Sequence, residues 1–142
     1  MLLKYTHLSN VSHKSNCLLE AKNINIGFTT KSGAVYPVRD FSFDLVPGKT
    51  LGIVGESGSG KSLTALAIMG LLSYGGGFVS DGELWYESRT LGRVNLVNLS
   101  QEDYKSIRGS EISMIFQEPM NALNPVKKIG DQLSEVYLLH QK

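Results

Sequence analysis

Gly55-Glu56-Ser57-Gly58-Ser59-Gly60-Lys61-Ser62 fits the pattern G-x-x-x-x-G-K-S without a gap. The short apolar segment Thr50–Val54 precedes it, and the apolar run Leu63–Leu72 follows it. The first segment is typical of a strand buried on both faces, and the second is typical of a buried helix. The order of strand, glycine-rich loop and helix predicts a loop that holds phosphate groups.

Each residue type in this loop suits the binding of a triphosphate. Gly55, Gly58 and Gly60 have no Cβ, so they can take positive φ values and let backbone N–H groups approach phosphate oxygens. A helix that begins near Gly60 directs its unpaired N–H groups at the same anion. Lys61 would reach the β- and γ-phosphates, and the Ser62 hydroxyl would complete the coordination shell of Mg²⁺. The whole loop is therefore the predicted nucleotide site.

The composition is that of an ordinary globular domain. The chain has 142 residues, 42% of them hydrophobic and 19% charged, which is enough for one core. The 14 basic and 13 acidic residues give a net charge of +1, so no basic surplus predicts nucleic-acid binding. The single cysteine excludes an internal disulfide and has no metal-ligand spacing to any histidine. No run of the sequence approaches the ~20 apolar residues of a membrane-spanning helix.

Hydrophobic patterning predicts the strands in outline. Residues 1–16 are polar and aperiodic, and we expect them to form an N-terminal tail. Strands are expected over residues 17–28, 34–45, 82–87, 94–99 and 112–116. The first two alternate between apolar and polar residues, which predicts a small antiparallel sheet beside a parallel one.

Two further helices follow from capping and periodicity. Ser100 and Asp103 form a capping-box pattern, so a short helix should begin there and end at Gly109. A last helix should carry Ile129, Leu133, Val136 and Tyr137 on one face.

Two separated motifs resemble one protein family. After the loop come Ile107-Arg108-Gly109 and then Met114-Ile115-Phe116-Gln117-Glu118-Pro119-Met120-Asn121-Ala122-Leu123-Asn124-Pro125. In this order the motifs resemble the ATP-binding subunits of ABC transporters, and among these the importers of dipeptides, oligopeptides and nickel. The resemblance covers residues 18–142 and implies an α/β fold of the P-loop NTPase type with an antiparallel β subdomain. Residues 17–142 would then be a partial ATP-binding domain, truncated before the signature loop and the Walker B strand.

The resemblance also implies roles for individual residues. The loop from Gly55 to Ser62 would be the Walker A loop that binds ATP, with Ser62 as a ligand of Mg²⁺. Gln117 would contact Mg²⁺ or the attacking water and report the nucleotide state to the membrane subunit. Phe28 stands where the family places the aromatic residue that stacks on adenine, and Tyr36 is the second candidate. An aromatic residue at a strand end is more often a core residue than a platform for a ligand, so the identity of the stacking residue stays open.

Several catalytic parts of the family are missing from the 142 residues. The sequence has no Leu-Ser-Gly-Gly-Gln signature loop and no Walker B strand ending in Asp-Glu, and His140 comes too early to be the switch histidine. No catalytic residue is therefore assigned, and hydrolysis by this chain alone is not expected. The missing Walker B strand would lie beside the phosphate-loop strand, so we expect an exposed apolar edge.

The resemblance predicts the N-terminal portion of an energy-coupling subunit of an importer, for di- or oligopeptides. Its partners would be membrane permease subunits, a second ATP-binding subunit and, indirectly, an extracytoplasmic solute-binding protein. It would act at the cytoplasmic face of the plasma (inner) membrane. One alternative is a truncated regulatory module that binds nucleotide without turnover, or a non-functional gene fragment. A GTPase or small kinase is a further alternative, but the sequence lacks Asp-x-x-Gly after the loop and Asn-Lys-x-Asp.

Overall fold

A computed structural model describes residues 17–118 and 123–140 of the chain. Its strands are β1 (Leu19–Thr30), β2 (Gly33–Leu45), β3 (Gly77–Ser88) and β4 (Gly92–Asn95). Its α-helices are α1 (Lys61–Ile68), α2 (Gln101–Ile107) and α3 (Ile129–His140), and two 3₁₀ turns span Leu72–Gly75 and Leu96–Asn98. The tail predicted for residues 1–16 lies outside the described residues.

The four strands form one antiparallel sheet in the order β2-β1-β3-β4. β1 is central and pairs along most of its length with both β2 and β3. The turn between β1 and β2 closes where Thr30 pairs with Gly33, whose φ of 122° suits a residue without a Cβ. The antiparallel subdomain predicted from the alternating segments is therefore confirmed.

The core lies on one face of this sheet, where α1, α2 and the 3₁₀ turns cover it. Ile24 and Ile26 of β1 are fully buried there, and so is Leu84 of β3. Burial of side chains of this size contributes about 1.5–3 kcal/mol each. The sheet thereby forms a fixed base under α1, whose first residues belong to the predicted phosphate loop.

The capping box before α2 forms as predicted. Ser100 Oγ accepts a hydrogen bond from Asp103 N at 3.1 Å and donates one to the Asp103 carboxylate at 2.7 Å. Gly109 follows the helix with a φ of 79°. The stop signal read from the sequence is therefore a real left-handed residue.

Two of the predicted strands are wrong as sheet strands. Residues 50–54 and 112–116 make isolated bridges at Val54 and Ile112 but join no strand of the sheet. Leu51, Ile53 and Ile112 pack partly against the core, but Val54 is 64% exposed, Ile115 90% and Phe116 51%. A segment that is apolar on both faces needs a layer packed against each face, and the described part of the chain leaves these three side chains uncovered. We call residues 50–54 and 112–116 the two strand-like segments.

Glu111 ties the turn between β3 and β4 to the turn after α2. Its carboxylate accepts hydrogen bonds from Arg89 N, Thr90 N, Thr90 Oγ1, Ser88 Oγ and Tyr86 Oη, at 2.8–3.2 Å. Burial raises the pKa of the carboxyl group, but these hydrogen bonds outweigh burial and lower the pKa below its ordinary value of 4.5. The charged form of Glu111 is therefore part of the folded structure.

We expect Glu111→Gln to lower the free energy of unfolding by about 1–2 kcal/mol at neutral pH, because hydrogen bonds to a charged acceptor are the stronger ones. Folding lowers the pKa of Glu111, so its contribution is present above pH 4.5 and is lost as the pH falls through the folded-state value. Urea unfolding of both proteins from neutral to acidic pH measures the difference. A difference that stays constant below pH 4.5 would contradict the assignment.

Candidate nucleotide-binding site

The predicted phosphate loop runs over the start of α1. Gly58 and Gly60 take left-handed φ values of 79° and 93°. Gly55 does not have a positive φ, so the conformation expected for this glycine is not observed. Ser59 N donates to the Glu56 carbonyl oxygen at 3.2 Å and closes a turn. The loop therefore curls back on itself, as a phosphate cradle must.

Lys61 holds this loop closed from the inside. Its Nζ atom donates to the carbonyl oxygens of Gly55 and Glu56, at 2.7 Å each, and lies 3.4 Å from Ser59 Oγ. The ammonium group thus sits in the middle of the loop, where a phosphate group would meet it as a point charge.

The amino end of α1 is free to face an anion. Gly60 is the N-cap residue, no side chain caps the helix, and its first turn holds no acidic residue. The unpaired N–H groups and the positive end of the helix dipole are thus left for a ligand. Ser62, in the first turn, has an exposed side chain whose hydroxyl makes no hydrogen bond in the described part of the chain.

Gly60 is fixed by two residues that the sequence analysis missed. The Gly60 carbonyl oxygen accepts hydrogen bonds from Thr64 N at 2.9 Å and from Thr64 Oγ1 at 3.1 Å. On its other side, a Cβ at residue 60 would overlap Val38 Cγ2. Thr64 stands one helical turn after Gly60, which is a signal visible in the sequence, but Val38 belongs to a strand far away in the sequence and gives no such signal.

The two aromatic candidates lie on opposite faces of the sheet. Phe28 is half-buried at the end of β1 and packs against the core, with its ring beside Gly77. A Cβ placed on Gly27 would lie beside the Tyr36 ring. Because successive residues of a strand point to opposite faces, Tyr36 lies on the face opposite to Phe28. Its ring meets that of Phe78 edge to face, with ring centroids 6.5 Å apart. Phe28 therefore shares the sheet face that supports the phosphate loop, and its role in adenine stacking stays a prediction.

Gln117 follows the second strand-like segment and is exposed. In the described residues, no hydrogen bond joins it to the phosphate loop. Oxygen ligands such as the Ser62 hydroxyl and the Gln117 amide suit Mg²⁺, which also takes phosphate oxygens and water. The two residues thus fit a nucleotide-bound Mg²⁺ by chemistry, and Gln117 as a ligand stays a prediction.

Residues 17–118 and 123–140 contain neither a metal-binding cluster nor a membrane-spanning helix. No three His, Cys, Asp or Glu side chains there come close enough together to hold a metal ion. None of the helices in these ranges has the length and apolar character needed to cross a membrane.

Comparisons with known proteins find relatives among the ATP-binding proteins of transporters. The dipeptide transport ATP-binding protein DppD of Bacillus subtilis is 48% identical over 125 residues, which cover 88% of this chain and 36% of that protein. The oligopeptide transport ATP-binding protein OppD of Haemophilus influenzae is 50% identical over 126 residues, which cover 89% of this chain and 37% of that protein. The chain thus spans a little over a third of the length of these relatives.

The sequence pattern that defines the ABC transporter family matches residues 38–141, which include the phosphate loop, α2 and α3. This match covers most of the chain and contains the closed loop around Lys61. The chain belongs to the ABC transporter family.

Proposed function

We propose that this chain binds ATP with Mg²⁺ and forms the N-terminal portion of the ATP-binding subunit of an ABC importer for di- or oligopeptides. The observation that carries the proposal is the closed loop at the uncapped start of α1, with Lys61 Nζ at its centre. Family membership supports ATP as the nucleotide. The printed functions of the relatives, dipeptide and oligopeptide transport, support the class of solute.

The residues proposed to hold the nucleotide are those of the Walker A loop, Gly55 to Ser62. The loop's backbone N–H groups and Lys61 would bind the phosphates. Ser62 and Gln117 would hold Mg²⁺, which neutralises phosphate charge when bound. Phe28 would stack on adenine from the sheet side.

The 142 residues support nucleotide binding more directly than hydrolysis. They contain no signature loop and no acidic Walker B residues, so no side chain of this chain is proposed to activate water. A non-hydrolysing nucleotide-binding module is therefore the second candidate. In the first candidate, turnover requires residues that lie outside this sequence.

The proposed partners follow from the importer class. They are membrane permease subunits, a second ATP-binding subunit and, indirectly, an extracytoplasmic solute-binding protein. The proposed location is peripheral, at the cytoplasmic face of the plasma membrane.

A thermal melt of the purified chain with and without MgATP tests the proposed binding. A ligand that binds only the folded state at 100 times its Kd stabilises that state by about 2.7 kcal/mol. For a chain of this size we expect a rise in Tm of about 5–10 °C. MgGTP at the same concentration is the control for the GTPase alternative.

The outcomes separate the hypotheses. A cooperative transition whose Tm rises with MgATP, without release of phosphate, supports nucleotide binding by this chain. A cooperative transition that MgATP leaves unchanged would contradict the proposed site.

A further inference from the structure

The contact between β2 and the phosphate loop has no role yet in the proposed function. Val38 is 1% exposed and lies on the core face of β2, where it pairs with Ile26 of β1. Its Cγ2 methyl group occupies the space that a Cβ of residue 60 would need. The same Cβ would lie 3.4 Å from the Pro37 carbonyl oxygen. The sheet and the loop therefore meet at Gly60 with no spare room.

A β-bulge directs Val38 to this point. Val38 pairs with Ile26, but Val35 pairs with Phe28, so Tyr36 and Pro37 stand opposite the single residue Gly27. An extra residue of this kind bends its strand and redirects the side chains beside it. Pro37 is tolerated in the bulge because it has no N–H to give to the ladder.

Gly60 is thus held from two directions. Thr64 binds its carbonyl oxygen through both the backbone N–H and the hydroxyl, and Val38 supports its backbone from the sheet. The peptide after Gly60 carries the first N–H group of α1, which is one of the groups proposed to bind the phosphate. Phosphate binding by several N–H groups at once depends on their relative positions within a few tenths of an ångström.

We propose that Val38 is a positioning residue for the phosphate loop: its β-branched side chain fixes Gly60 and thereby the N–H groups that bind the nucleotide. The proposal rests on the proposed nucleotide binding. According to this proposal, the antiparallel sheet raises nucleotide affinity through the methyl group of Val38, in addition to stabilising the fold.

Two substitutions at the same position separate positioning from stability. Val38→Thr keeps two branches at Cβ but buries a hydroxyl group, so it lowers the Tm while the contact with Gly60 remains. Val38→Ala removes both branches, so it lowers the Tm and also frees Gly60. By titration with MgATP, we expect Val38→Thr to bind within about twofold of wild type and Val38→Ala to bind about fivefold or more weakly. Equal affinities for wild type and a folded Val38→Ala would overturn the proposal, as would an equal loss in both variants.

Amide hydrogen exchange in the nucleotide-free protein gives a second, independent readout. Thr64 N, in α1, donates to the Gly60 carbonyl oxygen, whereas Tyr104 N, in the separate helix α2, donates to the Ser100 carbonyl oxygen and serves as the reference. In Val38→Ala, exchange should speed up more at Thr64 than at Tyr104, and in Val38→Thr the two should change together. Unchanged relative exchange would overturn the positioning role. A wild type that binds no MgATP would instead overturn the proposed function.

Folding of the alanine variant is not required for the test. If Val38→Ala shows no cooperative transition, Val38→Leu replaces it, because leucine keeps apolar volume but has no branch at Cβ. The same weaker binding and the same faster exchange at Thr64 are expected. Wild-type values for both in Val38→Leu would overturn the proposal.

Discussion

Lys61→Ala should weaken MgATP binding by about 30-fold or more, because removing one partner of a close charge pair costs about 2–5 kcal/mol. Lys61 Nζ donates hydrogen bonds to the carbonyl oxygens of Gly55 and Glu56. Both residues are exposed, so water can replace the ammonium group there. The variant should therefore keep nearly the wild-type Tm without ligand and lose the rise in Tm with MgATP.

Lys49→Ala is the matched control for this prediction. Lys49 is an exposed lysine shortly before the loop. In the described residues, no hydrogen bond or ion pair joins Lys49 to the loop. Its removal changes the net charge by the same amount and should leave MgATP affinity within about twofold, since exposed charges at a distance are screened. If both variants bind alike, the loss comes from net charge, and the point contact of Lys61 with phosphate is refuted. Unchanged affinity in Lys61→Ala would refute the phosphate site itself.

The local features of this fold could be predicted from the sequence because they depend on few neighbouring residues. The curled glycine-rich loop before α1, the helix cap at Ser100 and the left-handed Gly109 each follow from the chemistry of one short segment. β1 and β2 were also predicted, because alternation of apolar residues at a period of two indicates a strand with one buried face.

The features that depend on distant residues could not be predicted. Val38 supports Gly60 across a bulge whose position no local pattern reveals. The Glu111 carboxylate accepts hydrogen bonds from residues that precede it in the chain by 21 to 25 positions. A charged residue in a turn is usually solvated, so its sequence context gave no sign of this role.

The two strand-like segments failed as predicted strands for a different reason. Their composition is right for strands, but a strand needs partners, and composition cannot show whether the partners are present. Ile115 at 90% exposure and Val54 at 64% are apolar side chains without a covering layer in the described structure. The relatives of this chain are longer, since it spans 36% of the length of Bacillus subtilis DppD. We therefore expect the remaining length of such a relative to cover both segments.

A chimera tests this expectation together with the proposed activity. In it, this chain replaces the matching 125 residues of Bacillus subtilis DppD, to which it is 48% identical there. We expect the chimera to hydrolyse MgATP with a turnover on the order of 1 s⁻¹, at the low end of the usual range for enzymes, while this chain alone hydrolyses none. Phosphate release measures both rates. The chimera carrying Lys61→Ala is the control, and it should be inactive.

Ile115→Asp decides whether the gain in activity comes from covering the strand-like segments. In this chain alone the side chain is 90% exposed, so the substitution should change the free energy of unfolding by less than about 0.5 kcal/mol. In the chimera the side chain at this position should be buried against a face of the completed sheet, where an unpaired carboxylate costs about 3 kcal/mol or more. The chimera with Ile115→Asp should therefore melt at a much lower temperature and lose hydrolysis, while the isolated chain keeps its Tm. A chimera that tolerates aspartate at this position would show that residues 112–116 stay exposed in the longer protein, and the proposed completion of the sheet would then be wrong.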